Sequence, residues 1–121
     1  MFDYRGVLPT GRLLPRNYFV LDAIREGVRY VYIIRSLKVA EDLYVGSTAD
    51  VAKRLTHHNG GRCPYTAKNK PWVVVYIEPY EDEDLVLKRE RQIKRWSRAK
   101  KEALINGDTQ TLKKLSKRKG K

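Results

Sequence analysis

Tyr32, Tyr44, Arg54, His58 and Glu90 are the residues of this chain whose types and spacing could do chemistry together. Tyr44 opens the run Tyr44-Val45-Gly46; Arg54 follows, then His58, and Glu90 stands much later in a Lys/Arg-rich segment. A phenol, a guanidinium, an imidazole and a carboxylate are the groups that attack, neutralise and metal-bind a phosphodiester. Singly, most have ordinary explanations. Tyrosine is common in strands, and the chain has eight of them; a lone histidine or helix arginine is usually structural or solvated. Glu90 differs, because Val86, Ile93 and Ser97 share its side of the expected helix, so a carboxylate falls on the packing stripe. Burying it unpaired is costly. It must pair with a nearby arginine or face a wet cleft and hold a hard cation.

The elements that would position these groups are legible in outline. Val28 to Arg35 is β-branched and aromatic throughout, and Leu43-Tyr44-Val45 reads as its hairpin partner. With a period of two, Tyr30 and Tyr32 share one face and Val31 and Ile33 the other, so that one face is core and the other a site. Ser47 or Thr48 is expected to cap a helix running to Asn59, where Gly60-Gly61 stops it. In that helix Val51 and Leu55 form an apolar pair, while Asp50, Arg54 and His58 form a second, polar row flanked by Lys53 and His57. A basic loop leads to Pro71. Trp72 to Ile77, almost wholly apolar, is expected to be a central strand buried on both faces. The acidic cluster Glu81-Asp82-Glu83-Asp84 suits the start of a helix reaching Ser97. A further helix over about 98–105 ends at Asn106-Gly107, and a shorter one precedes a disordered tail, residues 117–121.

At 121 residues the chain is the size of one compact domain. Its 26 Lys+Arg against 14 Asp+Glu, a formal charge of +12, point to a polyanionic partner rather than to mere solubility. Between residues 85 and 121 fourteen Lys/Arg face only Glu90, Glu102 and Asp108, so the bias is concentrated there. Lys53, Lys88, Arg89, Arg91, Lys94 and Arg95 are the expected nucleic-acid contacts. No apolar run approaches a spanning helix, and residues 1–27, with their scattered Pro and Arg and one apolar stretch over 18–24, lack a signal-peptide core. A single cysteine, Cys63 in a Gly/Pro turn cluster, reads as a loop thiol in a reducing compartment. Cytoplasmic residence is the expectation.

These motifs together resemble the GIY-YIG nuclease family, in its small single-domain bacterial form. Tyr30-Val31-Tyr32 stands where the family's first tripeptide lies, with Tyr30 for its Gly and Val31 for its Ile, and Tyr44-Val45-Gly46 matches the second with Val for Ile. The segment 48–58 looks like the following helix with its Arg and His, and 88–94 like the helix carrying the metal-binding Glu. The resemblance implies an α/β fold, a three-stranded antiparallel sheet flanked by helices. It divides the chain into an extension over 1–27, a nuclease domain over 28–106 and a basic tail over 107–121. It further implies DNA as substrate, single-stranded or branched forms included, and one Mg²⁺ or Mn²⁺ held by Glu90. Tyr32 becomes the general base, assisted by His58 or Tyr44, and Arg54 steadies the phosphate. A free phenol is ionised in only about one molecule in a thousand at neutral pH, so a metal, Arg54 or Lys53 must lower its pKa or the proton must be relayed. A catalytically weak nucleic-acid-binding module of the same fold is the alternative, and a ribosome-associated RNA-binding protein a third reading.

Overall fold

The computed structural model describes residues 27–117. The expected N-terminal extension with its apolar stretch, but for Gly27, and the end of the basic tail, 118–121, lie outside the described residues. Strands β1 (Arg29–Ser36) and β2 (Leu43–Thr48) pair antiparallel, with Tyr30 opposite Thr48, Tyr32 opposite Gly46 and Ile34 opposite Tyr44. Strand β3 (Trp72–Tyr80) pairs antiparallel with the other edge of β1, giving the order β2-β1-β3. The register shifts between Ile33 and Ile34, which face Tyr76 and Val74, so Val75 is the extra residue of a bulge. The class is therefore the expected α/β one, a three-stranded antiparallel sheet with helices.

Two expectations about the sheet need correction. The apolar run of β3 lies at the edge, not the centre; burial on both faces reports what covers a strand, not how many neighbours it has. The centre is β1, where Val31, Tyr32, Ile33 and Ile34 are all at most 1% exposed. The β1 face that carries Tyr32 is covered as well, so the residue expected to serve a site lies inside the core rather than on an open face. Helices α1 (Val51–Asn59) and α3 (Glu83–Lys94) both pack on the sheet, through Val51 and Leu55 and through Val86 and Ile93.

Helix α1 begins two or three residues later than the sequence suggests. β2 runs through Thr48, so Ser47 and Thr48 are strand residues, and Asp50 takes the cap, its Oδ1 accepting from Lys53 N at 3.0 Å. Gly60 ends the helix as expected, its N–H bonding Thr56 O at 2.8 Å. The basic loop conceals a short helix, α2 (Pro64–Ala67), with Cys63 at its N-cap and Pro64 in its first turn, where the missing N–H costs nothing. Asp82 caps α3 inside the acidic cluster, accepting from Asp84 N at 2.8 Å. The helix stops at Lys94 rather than Ser97, because Ser97 caps α4 (Arg98–Asn106), its hydroxyl accepting from Lys100 N at 3.2 Å. Gly107, at φ 69°, ends α4 in the left-handed conformation that glycine adopts without strain. Helix α5 (Thr109–Ser116) packs on α4 and is the shorter helix expected before the tail.

Two ion-pair clusters fasten the helices. Arg35 of β1 makes a forked pair with Glu102 of α4, one bond at 2.8 Å, and also donates to Ala40 O. Glu78 of β3 accepts from Tyr76, Tyr80 and Arg89, the last at 2.8 Å, and Arg89 lies over the Trp96 ring at 5.1 Å.

The cross-strand pair Tyr32–Gly46 fixes where the Tyr32 hydroxyl lies. A Cβ built on Gly46 would stand 2.5 Å from Tyr32 Oη and 2.7 Å from Cζ. Both atoms belong to a ring held in the core, so they cannot swing away. Gly46→Ala is expected to cost about 1–3 kcal/mol by overpacking, read as a lowered urea midpoint. An unchanged midpoint would show that the ring has room to shift.

Candidate active site

Tyr32 and His58 meet in the interior. Tyr32 Oη lies 2.9 Å from His58 Nε2, and His58 Nδ1 lies 2.8 Å from the hydroxyl of Thr66, the third residue of α2. All three are at most 1% exposed. The Thr66 hydroxyl also reaches Cys63 O at 3.4 Å. A hydroxyl that donates to that carbonyl must accept from the imidazole, which puts the His58 proton on Nδ1 and leaves Nε2 to accept from the Tyr32 hydroxyl. This places His58 in the buried row of α1 with Val51 and Leu55, a correction to the polar row expected with Asp50 and Arg54. The spacing 51, 55, 58 is as helical as 50, 54, 58, and the packing selects the former.

Tyr44 closes the cluster. Its ring lies edge-on to His58 at 4.9 Å between centroids and 6.4 Å from Tyr32. On its outer side, at 5.6 Å, stands Tyr65 of α2, which is 77% exposed. Burial and then the neighbouring Tyr44 push the Tyr32 pKa far above that of a free phenol, while Arg54 opposes the rise without cancelling it. Burial likewise raises Tyr44. His58 moves the other way, to about 4, because burial and the charge of Arg54 disfavour its cation. At neutral pH the pair is thus a neutral phenol bonded to a neutral imidazole. The lowering demanded of Arg54 is present but outweighed, which leaves the proton relay as the route the geometry offers.

Glu90 is held from two elements. Ser47 of β2 donates to its Oε1 at 2.5 Å, and Lys94, one turn along α3, donates to Oε2 at 2.8 Å. Its side chain is 16% exposed. Burial works against its charge, but the bonds from Lys94 and Ser47 prevail and hold its pKa below the usual carboxylate value. The partner is a lysine on its own helix, not the arginine anticipated. Among the described residues no three His, Cys, Asp or Glu side chains gather as a metal cage. One anchored carboxylate nevertheless fits a hard divalent cation that takes its other ligands from water and a substrate phosphate. Lys94 is 49% exposed, whereas Glu90 is largely covered.

Tyr32, Tyr44, His58, Arg54 and Glu90 therefore converge where β1 and β2 meet α1 and α3. Of the expected nucleic-acid contacts, Lys94 joins them through Glu90. Arg89 does not: its guanidinium is taken up by Glu78, Gln92 and Trp96. Lys88, Arg91 and Arg95 lie roughly 100° or more around α3 from Glu90, lining a groove of about 460 Å³ with Gln92 and Trp96. Lys53 lines a separate pocket beside Arg54. Ser47, Thr66 and Tyr65 carry no sequence signal of a site, since Ser47 lies near a strand end and α2 has no detectable period in four residues.

This three-stranded sheet with its helices is the setting of a domain of the GIY-YIG class. The family model described as "GIY-YIG catalytic domain" matches residues 28–103, and the chain belongs to that family. A UPF0213 protein of Syntrophus aciditrophicus is 42% identical over 78 residues, covering 63% of this chain and 87% of that one. The UPF0213 protein of Natronomonas pharaonis is 36% identical over 81 residues, 66% of this chain and 93% of that one. Among solved structures, the UPF0213 protein BH0048 from Bacillus halodurans is similar at 30% identity with a TM-score of 0.43, over 65% of this chain and 83% of that one.

A histidine buried neutral has a definite cost in acid. Because the folded pKa of His58, about 4, is below its unfolded value, the unfolded chain binds the proton first as pH falls. Stability is unaffected above the unfolded pKa near 6.5 and declines through the window down to the folded value, by up to roughly 3 kcal/mol. His58→Gln should lose that part of the acid dependence in urea unfolding between pH 7 and 4. Parallel pH profiles for both proteins would mean that His58 titrates normally.

Proposed function

We propose that this chain is a metal-dependent endonuclease that hydrolyses DNA phosphodiester bonds, with residues 28–106 as the nuclease unit. The observation that supports this most directly is the buried Tyr32–His58–Thr66 chain, ending beside Arg54 and an anchored carboxylate. Tyr32 accepts a proton from the attacking water as its own passes to His58 Nε2. The imidazolium so formed is a strong acid in this setting and returns its proton to Tyr32, which releases one to solvent, while the departing 3′ oxygen takes its proton from water. Thr66 holds the imidazole so that Nε2 stays the acceptor, and Arg54 steadies the phosphate. Glu90, anchored by Ser47, would hold Mg²⁺ or Mn²⁺ once Lys94 leaves it. When bound, such an ion would supply positive charge toward the leaving oxygen, and the ends expected are 5′-phosphate and 3′-hydroxyl. Lys53, Lys88, Arg91 and Arg95 contact the backbone, with single-stranded and branched DNA among the forms to test. No helix of the described residues is long and apolar enough to cross a membrane, and cytoplasmic residence is part of the same reading.

A second reading, a nucleic-acid-binding module with little or no catalysis, has one observation in its favour: Lys94 already neutralises Glu90. Cleavage assays on labelled single-stranded, duplex and branched DNA, with Mg²⁺, Mn²⁺ or EDTA, separate the two. Glu90→Ala should abolish cutting while nucleic-acid affinity stays level or rises; cutting at the normal rate would remove Glu90 from the chemistry. Tyr32→Phe keeps the ring and removes the hydroxyl, and should cost about 10²-fold or more in rate.

The groove on the far side of α3 makes its own demand. Replacing Lys88, Arg91 and Arg95 together by Gln should flatten the salt dependence of single-strand affinity by about 2 in log–log slope, at about 0.7 for each lost phosphate contact. An unchanged slope would assign binding to the Arg54 side alone.

A further inference from the structure

Beside the candidate active site lies a second basic cavity, of about 300 Å³, between the start of β1, the end of β2 and the first turns of α1. Arg29, Thr48, Asp50, Lys53, Arg54 and His57 line it. Three permanent cations share it with one carboxylate, and Asp50 is already engaged, its Oδ1 capping α1 at Lys53 N. Like charges lining one cavity repel, and the α1 N-terminus adds further positive potential. An independent observation concerns Arg29, whose Nε is buried and has no hydrogen-bond partner. With that edge of the guanidinium closed to water, the Arg29 cation is poorly hydrated, and an oxyanion in the cavity would offset its charge while relieving the repulsion among Arg29, Lys53 and Arg54. Arg54 is common to both places, bearing on Tyr32 on one side and lining the cavity on the other.

We propose that this cavity binds a second phosphate of the same nucleic-acid strand, the one neighbouring the phosphate held at Tyr32 and Glu90, with Arg54 between the two. The assignment rests on the endonuclease reading for which phosphate is cut, but not for the binding itself. Arg29 and His57 become positioning residues for the strand, which enters across the α1 N-terminus. Two anchored phosphates fix the backbone direction at the reacting phosphorus, which one contact cannot do.

The test uses the full chain in EDTA, so that binding is read without cleavage. Short oligothymidylate and, separately, inorganic phosphate are titrated into labelled protein by NMR. Oligothymidylate should shift the Arg29 Nε–H signal and the amides of residues 50–54. Lys53→Gln, at an exposed position, should weaken oligothymidylate binding about tenfold, and Arg29→Gln at least as much. Neutral methylphosphonate placed at each linkage in turn should weaken wild-type binding at two adjacent linkages. At one of them it should add nothing further in Lys53→Gln. Affinity unaltered in Lys53→Gln overturns the proposal even if Arg29→Gln fails to fold. So does inorganic phosphate that binds the cavity while both variants hold oligothymidylate normally, since the cavity is then a free-anion site. Binding as expected by a chain that cuts nothing with any metal would sink the nuclease reading alone.

Discussion

The contact on which the rest of the site depends is the hydrogen bond between Tyr32 and His58, made inside the core. Tyr32 lies on the central strand, and its hydroxyl reaches the imidazole because Gly46, opposite it on β2, has no side chain to fill the space. His58 is turned inward by the same helical row that buries Val51 and Leu55. The Tyr32 oxygen is thus placed by strand register and helix packing, the two features of a fold least open to local adjustment. Preorganisation of this sort avoids spending binding energy on ordering the group. Its cost is that both partners are held neutral, the phenol well above and the imidazole well below their ordinary pKa values.

Much of this was readable from residues alone. The three strands, the two helices that pack on the sheet and the glycine stops all follow from β-branched runs, acidic starts and Gly60 or Gly107 at helix ends. What failed has a common physical cause: a sequence pattern reports the environment of a residue, not its neighbours. The run in β3 announced burial and was read as centrality. Asp50, Arg54 and His58 share one helical spacing and Val51, Leu55 and His58 another, and only tertiary packing decides which row faces in. Of the cluster, Tyr32, Tyr44, Arg54, His58 and Glu90 were singled out by type, spacing and resemblance and lie together, whereas Ser47, Thr66 and Tyr65 come from a strand end and a four-residue helix with no period to detect.

Charge is distributed with more discrimination than a net value of +12 conveys. Some of the basic residues are structural: Arg35 is forked onto Glu102 and Arg89 onto Glu78, each tying a helix to the sheet. Others, Lys88, Arg91 and Arg95, remain at the surface. A basic cluster in sequence therefore separates into rivets and contacts once the helix is wound, because neighbours in a helix diverge by roughly 100°.

Thr66 carries a consequence for how such a chain can vary. Its hydroxyl faces His58, while its carbonyl accepts from the Trp72 indole at 2.8 Å, and Asn59 clasps the Trp72 backbone from the end of α1. The connection from α1 to β3 looks like an ordinary surface link, the sort in which insertions and deletions accumulate freely. Here its length is a calibrated span: one residue more or fewer between Asn59 and Trp72 would carry Thr66 off the imidazole.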